Sequence, residues 1–262
     1  MSPRRAAAAA VVVPLLAGCG SYHAHTHAQK ARVAAVALLP DLVERPPAHV
    51  IGGSVRSGGR YHYSVGFDST VVNRGRGIML IRGHRLAGQP VMAADQLIDR
   101  VEAPPLLVQG VGWLRYYAHG HHHWHLLPFE LYQLRTAGGR KVLARARKEG
   151  FCIGPSGRGA ERPSRTPPNG CGMYKPHALS VGESLQPGQW DMYPGYLSGQ
   201  SLPLDGIPAG RYYLVIRLNR ERRLRESSYA NDVGSTLVRI TYADGLPNVK
   251  ALASCFHAPP CG

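Results

Sequence analysis

A chain of 262 residues that is 44 % apolar has enough material for a true core, in one large domain or two small ones. Its 31 glycines and 21 prolines, with little helical periodicity, argue against a helical bundle and favour a loop-rich β architecture. The net charge of +15 is scattered along the chain, which speaks for attraction to anionic lipid or wall polymers and against a nucleic-acid partner.

The first eighteen residues read as an export signal. Arg4 and Arg5 form a charged start, and Ala6 to Leu16 an apolar run too short to span a bilayer, which takes roughly 20 residues. Leu16-Ala17-Gly18-Cys19 resembles a bacterial lipobox, so Cys19 is expected to carry acyl chains that hold the protein at the outer face of a membrane. Residues 19–36 read as a flexible tether, in which His23, His25 and His27 stand in a polar segment without flanking apolar residues. Residues 37–262 are expected to form the folded domain.

Export implies an oxidising compartment. Without Cys19, four cysteines remain: Cys152, Cys171, Cys255 and Cys261. Four cysteines allow three pairings. Cys152–Cys171 with Cys255–Cys261 is favoured, because each bond closes a short Gly/Pro-rich loop.

Alternation predicts a strand over Arg60–Val72, a turn at Asn73-Arg74-Gly75, and a hairpin partner over Ile78–Arg82. Further strands are expected at Gln96–Val101, Leu114–Leu127, Glu130–Arg135 and Val142–Ala146. A long irregular stretch follows from Gly154 to Gly172, tied at its base by the first disulfide. Tyr212, Leu214, Ile216 and Leu218 then line one face of a strand that pairs with Leu237–Tyr242. An antiparallel β-sandwich is the simplest way to bury these faces.

The densest chemical signal is His119-Gly120-His121-His122-His123-Trp124-His125. In a strand His121, His123 and His125 project to one side, as a tripod of imidazoles suited to copper or zinc. The outer pair of an ideal strand would lie about 13 Å apart, so a bulge or strong twist at Gly120 is expected to draw the rings together.

His121-His122-His123-Trp124-His125, followed by Phe129-Glu130-Leu131-Tyr132-Gln133-Leu134, resembles the catalytic domain of the lysyl oxidase family, including its bacterial members. Lys148-Glu149-Gly150-Phe151-Cys152 resembles the family segment in which a lysine stands four residues before a cysteine. Trp190-Asp191-Met192-Tyr193, with Gln200 beyond, resembles the segment of the modified tyrosine. Residues 206–212 and 225–231 also follow the family pattern, and the likeness runs from about residue 38 to 242.

The resemblance implies Cu2+ at His121, His123 and His125, and a lysine tyrosylquinone formed from Lys148 and Tyr193. It implies oxidative deamination of primary amines, peptidyl lysine or small amines, to aldehydes with release of hydrogen peroxide and ammonia. Asp191 and Glu130 are the carboxylates to consider as base or ammonium partner. Two other readings need only part of this set. A copper-storing or copper-delivering lipoprotein needs the histidines and the lipobox but neither Lys148 nor Tyr193; a wall-binding β-sandwich would use the metal structurally.

Overall fold

The computed structural model describes residues 36–119, 121–146, 150–156 and 170–261. The export signal, residues 19–35 of the tether with its three histidines, Gly120, Lys148 and the Arg-rich run at 157–165 lie outside the described residues.

Fifteen strands and one 3-10 turn (Gly170–Gly172) are found among the described residues. They form three antiparallel sheets packed together, an all-β sandwich architecture as expected. One sheet contains β1 (Leu42–Glu44), β2 (Ala48–Ser57), β3 (Arg60–Asn73), β11 (Trp190–Tyr193) and β12 (Ser201–Pro203). The second runs in the order β10 (Ser180–Leu185), β4 (Met79–His84), β5 (Val91–Arg100), β6 (Ala103–Tyr117), β7 (His123–Leu127). The third runs β15 (Leu246–Cys255), β14 (Val233–Ala243), β13 (Gly210–Leu218), β8 (Glu130–Thr136), β9 (Val142–Arg145).

The inward faces meet in one apolar core containing Phe67, Met79, Ile81, Leu114, Trp124, Leu134 and Ile216. Tyr212, Leu214, Ile216 and Leu218 all join it, so the alternation read in β13 marks the true inner face. The opposite face of β13 is covered as well, because the C-terminal tail returns over it. The Cys261 amide donates to the Tyr213 hydroxyl at 3.1 Å, and Ser235 Oγ donates to the His257 carbonyl at 2.7 Å. Both favoured disulfides, Cys152–Cys171 and Cys255–Cys261, are formed.

Two expected pairings are corrected. The segment expected as the hairpin partner of β3 forms β4, which pairs with β5 and β10 instead. Asn73 explains the redirection. Its Nδ2 donates to the carbonyls of Gly77 (2.9 Å) and Leu185 (2.8 Å), while its Oδ1 accepts from the amides of Asp41 (3.1 Å) and Gly75 (3.0 Å). A buried amide that satisfies four backbone groups fixes a corner between two sheets, which a hairpin turn would not need. The single strand expected over Leu114–Leu127 is a hairpin: β6 ends at Tyr117, and β7 returns with Tyr117 opposite His123 and Trp113 opposite Leu127.

β3 organises the first sheet. Its first half pairs with β2 and β12, and its second half with β1 and β11, which sets Tyr193 opposite Ser69 and Asp191 opposite Val71.

Candidate metal centre

The hairpin turn between β6 and β7 brings the three histidines together. His123 and His125, two apart in β7, share a face by strand alternation. His121 stands in the turn before the strand, not within it. His122 takes a left-handed conformation (φ 55°), its amide donates to the Tyr117 carbonyl at 2.8 Å, and its ring stacks on Tyr174 at 5.3 Å. This bend folds His121 back over its strand neighbours. Ring centroids lie 5.4 Å apart for His121 and His123, 5.0 Å for His121 and His125, and 4.8 Å for His123 and His125. One nitrogen from each ring falls within 4.8 Å of the others.

Packing holds the trio from both sides. Tyr117 stacks on His125 with centroids 4.4 Å apart, and His121 Nε2 lies 3.3 Å from the Ser198 carbonyl. Behind the strand, Trp124 is fully buried, donates from Nε1 to the Lys175 carbonyl at 3.0 Å, and carries the Arg85 guanidinium 4.5 Å above its ring. The chain passes so close to this indole that a Cβ at Gly172 would lie 2.9 Å from Trp124 Cδ1, and Gly172 has a φ of 59° that a side chain would strain.

Tyr193 reaches the trio by two short structural paths. Its hydroxyl donates to the Cys152 carbonyl at 2.6 Å, and the preceding residue, Phe151, exchanges both backbone hydrogen bonds with Leu126, the neighbour of His125. Its carbonyl accepts from Gln200 Nε2 at 3.2 Å, at the end of the turn that carries Ser198 to His121. Aromatic rings fill the intervening space: Phe151 meets Tyr193 edge-on at 4.8 Å and Tyr132 at 5.7 Å. Gly195 lets the chain that follows Tyr193 pass close to β3, since a Cβ there would fall 2.7 Å from the Phe67 amide nitrogen. Burial pushes the Tyr193 phenol well above its usual range, with Asp191 and Glu183 adding to the rise.

Asp191 precedes Tyr193 by two residues in β11 and therefore shares its face. Its carboxylate accepts from Ser156 Oγ at 2.8 Å and from the Gly154 amide at 3.2 Å, so it also holds the segment that follows Cys152. Glu130 is buried at the start of β8 and lines the same small internal gap as Asp191 and Tyr193. Lys148 lies outside the described residues, although both flanks are placed. The Ala146 amide donates to the Tyr132 carbonyl at 3.2 Å, and Gly150 packs against Leu127.

Tyr132 and Glu183 were not singled out from the sequence. The Tyr132 hydroxyl lies 2.8 Å from Ser69 Oγ and 2.9 Å from Gln200 Oε1, joining β8, β3 and the turn after β11. Glu183 is fully buried and accepts from the Ile153 amide at 3.0 Å, and burial raises its carboxyl well above the usual range. Neither carries a local signal, because both contacts join residues far apart in the chain.

Three imidazoles suit a borderline cation such as copper, so the donor set fits a copper centre. The family model described as Lysyl oxidase matches residues 105–251, which include the trio, Lys148, Asp191 and Tyr193. None of the curated proteins matches the chain.

Proposed function

The chain belongs to the lysyl oxidase family, and from that premise we propose that it oxidises primary amines at a copper and lysine tyrosylquinone centre. Copper-dependent amine oxidation is the activity of the family as a whole. For this chain we assign copper to His121, His123 and His125, and the quinone to Lys148 and Tyr193. In the overall reaction, amine, dioxygen and water give aldehyde, ammonia and hydrogen peroxide. The observation that carries the reading is the double linkage of Tyr193 to the histidine trio, through Cys152–Phe151–Leu126 and through Gln200 and Ser198.

The bound copper and quinone would supply the redox chemistry, accepting electrons from the amine and passing them to dioxygen. The protein's own groups bind and orient. The trio would hold the ion, Tyr117 and Trp124 keep its rings in place, and Phe151 and Tyr132 exclude water from the phenol. To Asp191, on the face of Tyr193, we assign acceptance of the substrate α-proton, with Glu130 as the alternative. The proposed partner is a primary amine, peptidyl lysine among the candidates. The proposed location is the outer face of a bacterial membrane, through acylated Cys19, where the basic surface meets anionic lipid or wall polymers.

Mass spectrometry of the exported, copper-loaded protein tests this reading. A cross-link between the peptides containing Lys148 and Tyr193 supports it. Unmodified peptides from copper-replete protein would instead leave a copper-carrying lipoprotein.

A further inference from the structure

A cleft of about 630 Å³ opens beside the histidine trio. At its inner wall stands Tyr117, whose ring stacks on His125. Gly199, next to the Ser198 that meets His121, also lines it. From Gly199 the wall continues through Ser201 and Pro203 to Asp205. Ser201 and Pro203 share one face of β12, so the wall leads away from the trio along that strand.

Two opposite charges line this cleft. Asp205 is held from both oxygens: Oδ1 accepts the Tyr63 amide at 2.7 Å, and Oδ2 lies 2.9 Å from His62 Nδ1. The amide bond, with His62 beside it, holds this carboxyl below its usual range, so it is ionised at neutral pH. Arg145, exposed at the end of β9, lines the same cleft and makes no ion pair among the described residues. A carboxylate and a guanidinium that share a cleft without meeting leave room for a ligand carrying both complementary charges. Arginine also presents a fork that suits a carboxylate.

We propose that this cleft is a subsite for an amino-acid head group, with Asp205 taking its ammonium and Arg145 its carboxylate. The substrate class is then a free diamino acid such as lysine, its side-chain amine left at the end of the cleft nearest the assigned copper and quinone centre. A peptidyl lysine lacks both head-group charges and would gain nothing from this pair. The inference rests on the amine-oxidase reading, because the side-chain amine must be the group oxidised.

Peroxide release by the copper-loaded full chain tests it with three amines: L-lysine, 1,5-diaminopentane, which lacks the carboxylate, and 6-aminohexanoate, which lacks the α-ammonium. Lysine should exceed each analogue in kcat/KM by about two- to fivefold, the scale of partly exposed charge pairs. Asp205→Asn should cost lysine and 1,5-diaminopentane that factor and spare 6-aminohexanoate. Arg145→Gln should cost lysine and 6-aminohexanoate and spare 1,5-diaminopentane. Equal turnover of all three by the parent protein, or an equal loss for all three in either variant, overturns the subsite and leaves the oxidase. Calorimetric titration of the metal-free chain with lysine separates the two claims. If no amine is oxidised, binding that weakens in both variants upholds the subsite against the oxidase reading, and absence of binding overturns it.

Discussion

The Tyr193 hydroxyl donates a 2.6 Å hydrogen bond to the carbonyl of Cys152, so the disulfide-bonded segment and the phenol share one anchor. Cys152 follows Phe151, which is paired to the histidine strand at Leu126. A cysteine bridge, an aromatic contact and the histidine strand thus meet around a single tyrosine.

Tyr193→Phe keeps the ring against Phe151 and removes only the hydroxyl. We expect amine-dependent peroxide release to vanish, with copper content unchanged by elemental analysis. Stability should fall by about 1 kcal/mol, as for one hydrogen bond, in a denaturant titration. Unaltered turnover in this variant would exclude Tyr193 as a quinone precursor.

His123→Ala and His125→Ala should both lose copper, and with it any visible quinone absorption. Their stabilities should differ. His125 is fully buried and stacked on Tyr117, so its loss should cost about 2–4 kcal/mol, as for a large-to-small core change, and His123 less. Thermal melts of the two variants check the order.

Replacing Cys152 and Cys171 together by serine opens a disulfide that spans 19 residues. A loss of about 3 kcal/mol is expected from the freedom restored to the unfolded chain. The Cys152 carbonyl would also lose its fixed position opposite Tyr193, so quinone yield per bound copper should drop. Absorption measured against copper content reads this out.

Stability should decline from acid to neutral pH. Burial, with Asp232 beside it, pushes Glu226 up to about 8, and burial, with Asp41 nearby, pushes Asp232 up to about 7. In an unfolded chain both titrate near 4. Below about pH 4 the groups are protonated in both states and their contribution is fully present. Between about pH 4 and 8 the unfolded chain releases protons that the folded protein retains, so stability is lost as pH rises through the folded values. Melting temperatures at pH 4.5, 6 and 8.5 should fall in that order, with a shallower slope in Asp232→Asn.

Much of this was legible along the chain. The alternation of Tyr212, Leu214, Ile216 and Leu218 marked an inner sheet face, and the cysteine spacing pointed to the pairs that form, because both signals are local. The edge strands β2 and β15 carried no such pattern. Most of their residues are exposed, and only Pro247 and Val249 of β15 alternate inward, too short a run to mark a strand. The partners of β3 and β4 were misread because the deciding group, the Asn73 side chain, bonds to Asp41 and Leu185 across 32 and 112 residues.

The sequence by itself determined the β class and the concentration of imidazoles at 121–125, and favoured one of three disulfide pairings, since composition and short-range periodicity act within a few residues. Only the tertiary structure decided that His121 folds back from a turn at His122 instead of extending a strand, and that Tyr193 is tied to Cys152. The cleft holding Asp205 and Arg145 apart is likewise a product of folding. These outcomes depend on backbone hydrogen bonds and ring packing between distant segments, and such pairings are chosen by the free energy of the whole core, not by any local run of residues.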